Sequence, residues 1–172
     1  MDQEMLKKEL GIKNQMALPH LSKIVVNMGV KDALIDKKNL EKGSSIMGQI
    51  TGQKPKITRA KKAIAGFKLR EGDAIGLVVT LRGKRMYNFF KKLVTIVCPR
   101  FKDFHGVSRE SFDGHGNYTL GLTETTVFPE IEPSGIDKIQ GLEIVIVTTA
   151  KEDKKGLALL SALGMPFQKS NI

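Results

Sequence analysis

A glycine-rich turn closing on a lysine is the commonest sequence sign of phosphate binding, and residues 48–54 come near it. Gly48 and Gly52 are four apart where a phosphate loop needs five, and Gln53 separates Gly52 from Lys54. The amides and the ammonium would not converge on one phosphate chain. A dinucleotide fingerprint built on Gly114 and Gly116 needs a third glycine where Thr119 stands. His20, His105 and His115 lie at no spacing that suits a metal. Cys98 is the only cysteine, which excludes an intramolecular disulfide and any site needing two thiolates. Between Val97 and Pro99, at the end of an apolar stretch, it reads as an inert buried thiol. Glu130 and Glu132 look like an acid pair, but alternating acids in Phe128-Pro-Glu-Ile-Glu-Pro133 fit a solvated turn, or half of a salt link to a basic partner. No catalytic set, cofactor loop or metal site results.

What remains is charge. The 172 residues carry 28 Lys and Arg against 18 Asp and Glu, a net +10 that points to a polyanionic partner. The charge is concentrated: Lys54 to Lys102 hold fourteen basic residues and only Glu71 and Asp73 as acids, a local +12 that leaves −2 for the rest of the chain. A chain that is basic only for solubility scatters its charge, whereas one that grips phosphates gathers it. The densest part, Thr58-Arg-Ala-Lys-Lys-Ala-Ile-Ala-Gly-Phe-Lys-Leu-Arg-Glu-Gly72, has five basic residues and no apolar period. It reads as an exposed, mobile basic loop, with Phe67 either stacking on a base or turning into the core. The main apolar stretches, Leu93–Cys98 and Ile144–Val147, are too short to span a bilayer, and the mixed-charge N-terminus is no signal peptide.

The elements that must hold these residues follow from periodicity. At 41% apolar, the chain can bury a real core, and the absence of repeats or Pro/Ser linkers makes a single domain over 1–172 the expectation. Helices are expected over Asp2–Leu10, Lys37–Ile50, Lys84–Val97 and Glu152–Leu163, the third stopped by Pro99 and the last by Gly164. In Lys23–Val30 one parity is Ile24, Val26, Met28 and Val30, and the other is Lys23, Val25, Asn27 and Gly29. In Ile75–Arg82 the apolar parity is Ile75, Leu77, Val79 and Leu81, against Gly76, Val78, Thr80 and Arg82. Asn117–Leu122 alternates likewise, and Glu143–Thr149 has the unbroken apolar run of a central strand. Because side chains alternate across a strand, each strand has a greasy face for helices and a polar, small or basic face opposite. Such strands make a sheet with helices on one face and an open, polar and basic platform opposite, a surface that suits the wide, shallow minor groove of RNA. Glycines at 29 and 76 would let a ligand backbone come close.

Several motifs are specific in combination. Lys23–Val30, Thr51-Gly-Gln-Lys-Pro55, Thr58–Gly72, Val79-Thr-Leu-Arg-Gly83, Pro99–Gly106, Phe112–Tyr118, Phe128–Ile131 and Met165-Pro-Phe167 occur in an order that resembles the L-five family of large-subunit ribosomal proteins, of bacterial or organellar type. The resemblance covers nearly the whole chain. It implies an α+β fold, two-layer, with a mainly antiparallel sheet, helices packed on one face and an open RNA-binding face, in a non-enzymatic protein of the central protuberance in the cytoplasmic ribosome. The partners implied are 5S ribosomal RNA, large-subunit ribosomal RNA, peptidyl-site transfer RNA, neighbouring large-subunit proteins and a protein of the small-subunit head. Asn27, Gln53, Thr80 and Arg82 match family positions for 5S contact. Parity alone already puts Asn27, Thr80 and Arg82 on the open face; Gln53 rests on the resemblance. The full ribosomal-RNA set expected is Lys23, Asn27, Met28, Gly29, Gln53, Lys54, Thr80, Arg82, Arg85 and Arg100. Arg59, Lys61, Lys62, Phe67, Lys68 and Arg70 match the loop associated with transfer RNA. Two departures stand out: the N-terminal helix is shorter than usual, and Gly72-Asp-Ala-Ile75 replaces Gly-Tyr-Pro-Ile.

A free-standing RNA chaperone or regulator would use the same platform, and an RNA-modifying enzyme would need the acid–base pair or cofactor loop not found above. The +12 segment carries a direct expectation. Binding to 5S RNA should weaken steeply with salt, with a log–log slope corresponding to roughly four to eight phosphate contacts. A salt titration by filter binding measures it, and a slope near zero contradicts the phosphate grip.

Overall fold

The computed structural model describes residues 6–7, 10–12, 14–34, 36, 38–102, 104–131 and 140–168. Most of the helix expected over Asp2–Leu10 lies outside them, although Leu6, Lys7 and Leu10 are helical and Leu6 is buried. In chain order the elements are β1 (Leu21–Gly29), α1 (Lys38–Thr51), β2 (Lys56–Arg59), β3 (Ala74–Leu81), α2 (Gly83–Lys92), β4 (Tyr118–Leu122), β5 (Leu142–Thr148) and α3 (Asp153–Ala162). The strands form one antiparallel sheet in the order β2-β3-β1-β5-β4, and the fold is α+β. The chain clusters into two compact units: Met1–Ile24, Arg82–Leu120 and Val145–Ile172 form the first, Val25–Leu81 and Gly121–Ile144 the second. Strands β1, β4 and β5 contribute residues to both.

In the second unit the parity reading holds except at Ile75, which is half-buried, and Gly76, which is buried. Val26 and Met28 of β1, Val30 just past its end, and Leu77, Val79 and Leu81 of β3 are buried. Helix α1 covers them with Leu40, Met47 and Ile50. Gly43 lets this helix come close, since a Cβ there would sit 3.2 Å from Leu77 Cδ1 and 3.4 Å from Met28 Sδ. Apart from Gly76, the opposite parity stays outward, with Gly29 and Thr80 exposed and Val25, Asn27 and Val78 half-buried.

The first unit is packed around aromatic rings. Tyr118 meets Phe112 at 4.9 Å and Phe167 at 5.6 Å between centroids, both edge to face, and its hydroxyl donates to Ser108 O at 2.7 Å. Met86, Phe89 and Phe90 of α2 are buried, as are Leu159 and Leu160 of α3. The helix expected to run from Lys84 to Val97 instead passes at Leu93 into a π-helical turn, and at Cys98 into a 3-10 turn carrying Pro99. Proline lacks the N–H that a regular helix needs, and Thr95 Oγ1 donates back to Lys91 O at 2.8 Å, competing with the backbone ladder.

Strand β2 has no counterpart among the expected elements. It pairs antiparallel with β3, Lys56 opposite Val78 and Thr58 opposite Gly76, with a register shift between Thr58 and Arg59. This corrects the role anticipated for Gly76. A Cβ at 76 would lie 2.8 Å from Thr58 Oγ1 and 2.9 Å from Met28 O, so the space above it is filled by the sheet itself. Gly29 is the open position, with nothing within 4 Å of a Cβ there. Gly76→Ala should therefore cost about 1–3 kcal/mol of stability by overpacking, whereas Gly29→Ala should stay within about 0.5 kcal/mol. Urea denaturation of the two variants checks this, and equal costs contradict it.

Candidate nucleic-acid interface

Each polar residue on the open face of the second unit is aimed by a local device. Asn27 sits between buried Val26 and Met28, and the pleat turns its amide outward, where Nδ2 donates to Glu143 Oε2 at 3.2 Å. Thr80 sits between buried Val79 and Leu81 and is exposed. Gln53 is placed by the stop of α1. Gly52 takes a left-handed φ of 66° and donates to Gly48 O at 2.8 Å, while Thr51 Oγ1 donates to Met47 O at 2.7 Å and accepts from the Gln53 N–H at 3.3 Å. The turn brings Gln53 Nε2 to 3.4 Å from Thr80 O. Asn27, Gln53 and Thr80 thus offer neutral donors and acceptors, with Lys54 and Lys56 exposed as cations. A face that mixes neutral hydrogen-bonding groups with ammonium groups can read ribose hydroxyls and base edges while holding phosphates.

Met28, a member of the expected RNA-binding set, does not belong on this face. It is 0% exposed, and its sulfur packs at the Gly43 position under α1. Its parity neighbours Ile24 and Val26 already assign it to the core. Lys23 is half-buried, and Arg82, Arg85 and Arg100 are exposed; all four belong to the first unit.

The segment 58–72 has more structure than expected. Ala60 N donates to Asp73 O at 2.8 Å and Gly72 N to Ala60 O at 3.0 Å. Ile64 and Leu69 exchange backbone hydrogen bonds of 2.9 and 3.2 Å. The chain is a closed ribbon with Ala65 to Lys68 at its tip, and Lys68 has a φ of 52°. Phe67 is 74% exposed, which removes the alternative that it turns into the core. Lys61, Lys62, Lys68 and Arg70 are exposed around it. Arg59 is exposed as well, but its Nη1 donates to Gly72 O at 2.9 Å and braces the stem. Asp73, the acidic departure, accepts the Arg70 N–H on Oδ2 at 2.8 Å and so closes the same stem.

Elsewhere the chemistry is quiet. Cys98 is buried, and burial pushes its thiol up to about 11, far from a thiolate at neutral pH. Among the described residues no three His, Cys, Asp or Glu side chains converge as metal ligands, and no helix is long and apolar enough to cross a membrane. Glu130 is exposed, and Glu132 lies outside the described residues.

The participant that sequence reasoning misses is Glu143. It stands at the head of an apolar run and is exposed beside Asn27, but nothing in its own strand's pattern marks it as a partner of β1.

Known proteins are similar to this chain along most of its length. Residues 14–70 match the family model described as ribosomal protein L5, and residues 74–167 match the model described as the C-terminus of that ribosomal family. The large ribosomal subunit protein uL5 of Streptococcus mutans is 57% identical over 164 residues, covering 95% of this chain and 91% of that protein. The uL5 proteins of Streptococcus suis and Streptococcus pyogenes match with the same identity and coverage.

If the open face is the RNA platform, Asn27→Ala and Thr80→Ala should each weaken 5S binding by about 1–3 kcal/mol while leaving the unfolding midpoint in place. Gel shift and urea melts read both quantities. Unchanged affinity in the double variant contradicts the platform.

Proposed function

The chain belongs to the L5 family of large-subunit ribosomal proteins, a structural and non-enzymatic family, and from that membership we propose that it anchors 5S ribosomal RNA through the open sheet face of its second unit. The observation that carries this reading is the outward parity of β1 and β3, where Asn27 and Thr80 face solvent opposite a fully apolar row. Gln53, held against Thr80 O, completes a neutral hydrogen-bonding surface of the kind that suits a shallow RNA groove.

In this reading the protein sits in the central protuberance of the cytoplasmic ribosome. Lys23, Arg82, Arg85 and Arg100, on the first unit, hold phosphates of 5S or large-subunit ribosomal RNA. The ribbon tip presents Phe67 and its surrounding lysines to the peptidyl-site transfer RNA, the aromatic stacking on a base or ribose and the ammonium groups meeting phosphates. Other surfaces meet neighbouring large-subunit proteins and a protein of the small-subunit head.

The ribbon and the platform should separate experimentally. Lys61, Lys62 and Lys68 are exposed and make none of the stem hydrogen bonds through their side chains. Replacing all three by Gln should preserve the fold and leave 5S affinity within about threefold, the residual loss reflecting weaker long-range attraction. Retention of peptidyl-site transfer RNA on reconstituted ribosomes should fall instead. Loss of 5S binding as complete as in the Asn27 and Thr80 variants contradicts the division.

A further inference from the structure

Glu143 is an acid on a surface that otherwise suits a polyanion. It lies between buried Leu142 and Ile144, so the pleat points it to the open face, and β5 is next to β1 in the sheet. A carboxylate there repels phosphate, so charge alone works against binding. Its geometry shows what it does instead. The carboxylate can only accept, and it takes the Asn27 Nδ2 hydrogen bond at 3.2 Å. That fixes which way the amide is turned: NH2 toward Glu143, Oδ1 away from it.

We propose that Glu143 is a positioning residue that locks Asn27 as a hydrogen-bond acceptor, so that this spot on the sheet takes a donor of the RNA, a ribose 2′-hydroxyl or a base amino group, and refuses a phosphate. The proposal rests on the open face being the RNA platform. An unrestrained amide could rotate to offer its NH2 to a phosphate oxygen, and the register of the RNA on the sheet would then be less defined. With Glu143 in place, a phosphate meets both a carbonyl oxygen and a carboxylate. Gly29, on the same strand and face as Asn27, is open enough for a ribose to approach.

The test uses opposite signs. If Glu143 acts only through its charge, Glu143→Ala removes a repulsion and tightens 5S binding. If it positions Asn27, the same substitution weakens binding by about three- to tenfold, the worth of one oriented hydrogen bond. The salt slope should not change, because no phosphate contact is lost. In an Asn27→Ala background the weakening should vanish and a small electrostatic gain appear, since the group being positioned is gone. Both residues are outside the core, so melts should confirm intact folds. Asn27→Ala without effect would overturn this inference, and Asn27→Ala combined with Thr80→Ala without effect would overturn the platform reading itself. Asn27→Ala weakening while Glu143→Ala tightens or changes nothing would overturn this inference and leave the platform standing. Equal weakening by Glu143→Ala in both backgrounds would also overturn it.

Discussion

Everything at the candidate interface depends on one constraint: a β-strand has two faces, and only one of them is covered. Helix α1 settles on Met28, Val30 and Leu77, brought close by the missing side chain at Gly43. Once that row is buried, the pleat leaves Asn27 and Thr80 no choice but solvent. A shift of one residue in either strand would put them in the core and send methionine and leucine outward. The polar face is therefore fixed by the hydrophobic burial behind it, and needs no separate stabilisation.

Charge is organised on a different principle. The cations of the Lys54–Lys102 segment gain nothing from burial, and the great majority are exposed. In the ribbon the backbone supplies most of the order, through the Ala60–Asp73 and Ile64–Leu69 hydrogen bonds, and Lys61, Lys62 and Lys68 stay exposed. Arg59 and Asp73 give up part of their reach to hold the stem. Specific contact and phosphate attraction can thus be tuned separately: neutral groups on a rigid sheet, cations on a projecting hairpin.

How far the sequence discloses this is uneven, for physical reasons. The two-faced strands are legible because their apolar parity is strict, and the core of the second unit follows from it. Strand β2 is not, because Lys56-Ile-Thr-Arg59 is short and largely polar and owes its conformation to pairing with β3. The ribbon reads as loop because its order is backbone hydrogen bonding, which leaves no side-chain period. Met28 enters the expected site by motif although its parity places it in the core, and parity is the better guide. Gly76 reads as room for a ligand, but only the register that sets it opposite Thr58 shows whose atoms fill that room. The Asn27–Glu143 contact joins residues 116 apart in the chain, and no local pattern announces it.

The central claim is that the neutral face of β1 and β3 is where RNA is recognised. Its most direct test is NMR titration of the side-chain amides of Asn27 and Gln53 and the methyl group of Thr80 with 5S RNA, against a shuffled RNA of equal length. The account predicts that these three signals shift together and saturate with 5S RNA, while the shuffled RNA perturbs chiefly the ribbon lysines and other exposed cations. Perturbation confined to the ribbon, or the same for both RNAs, would contradict it.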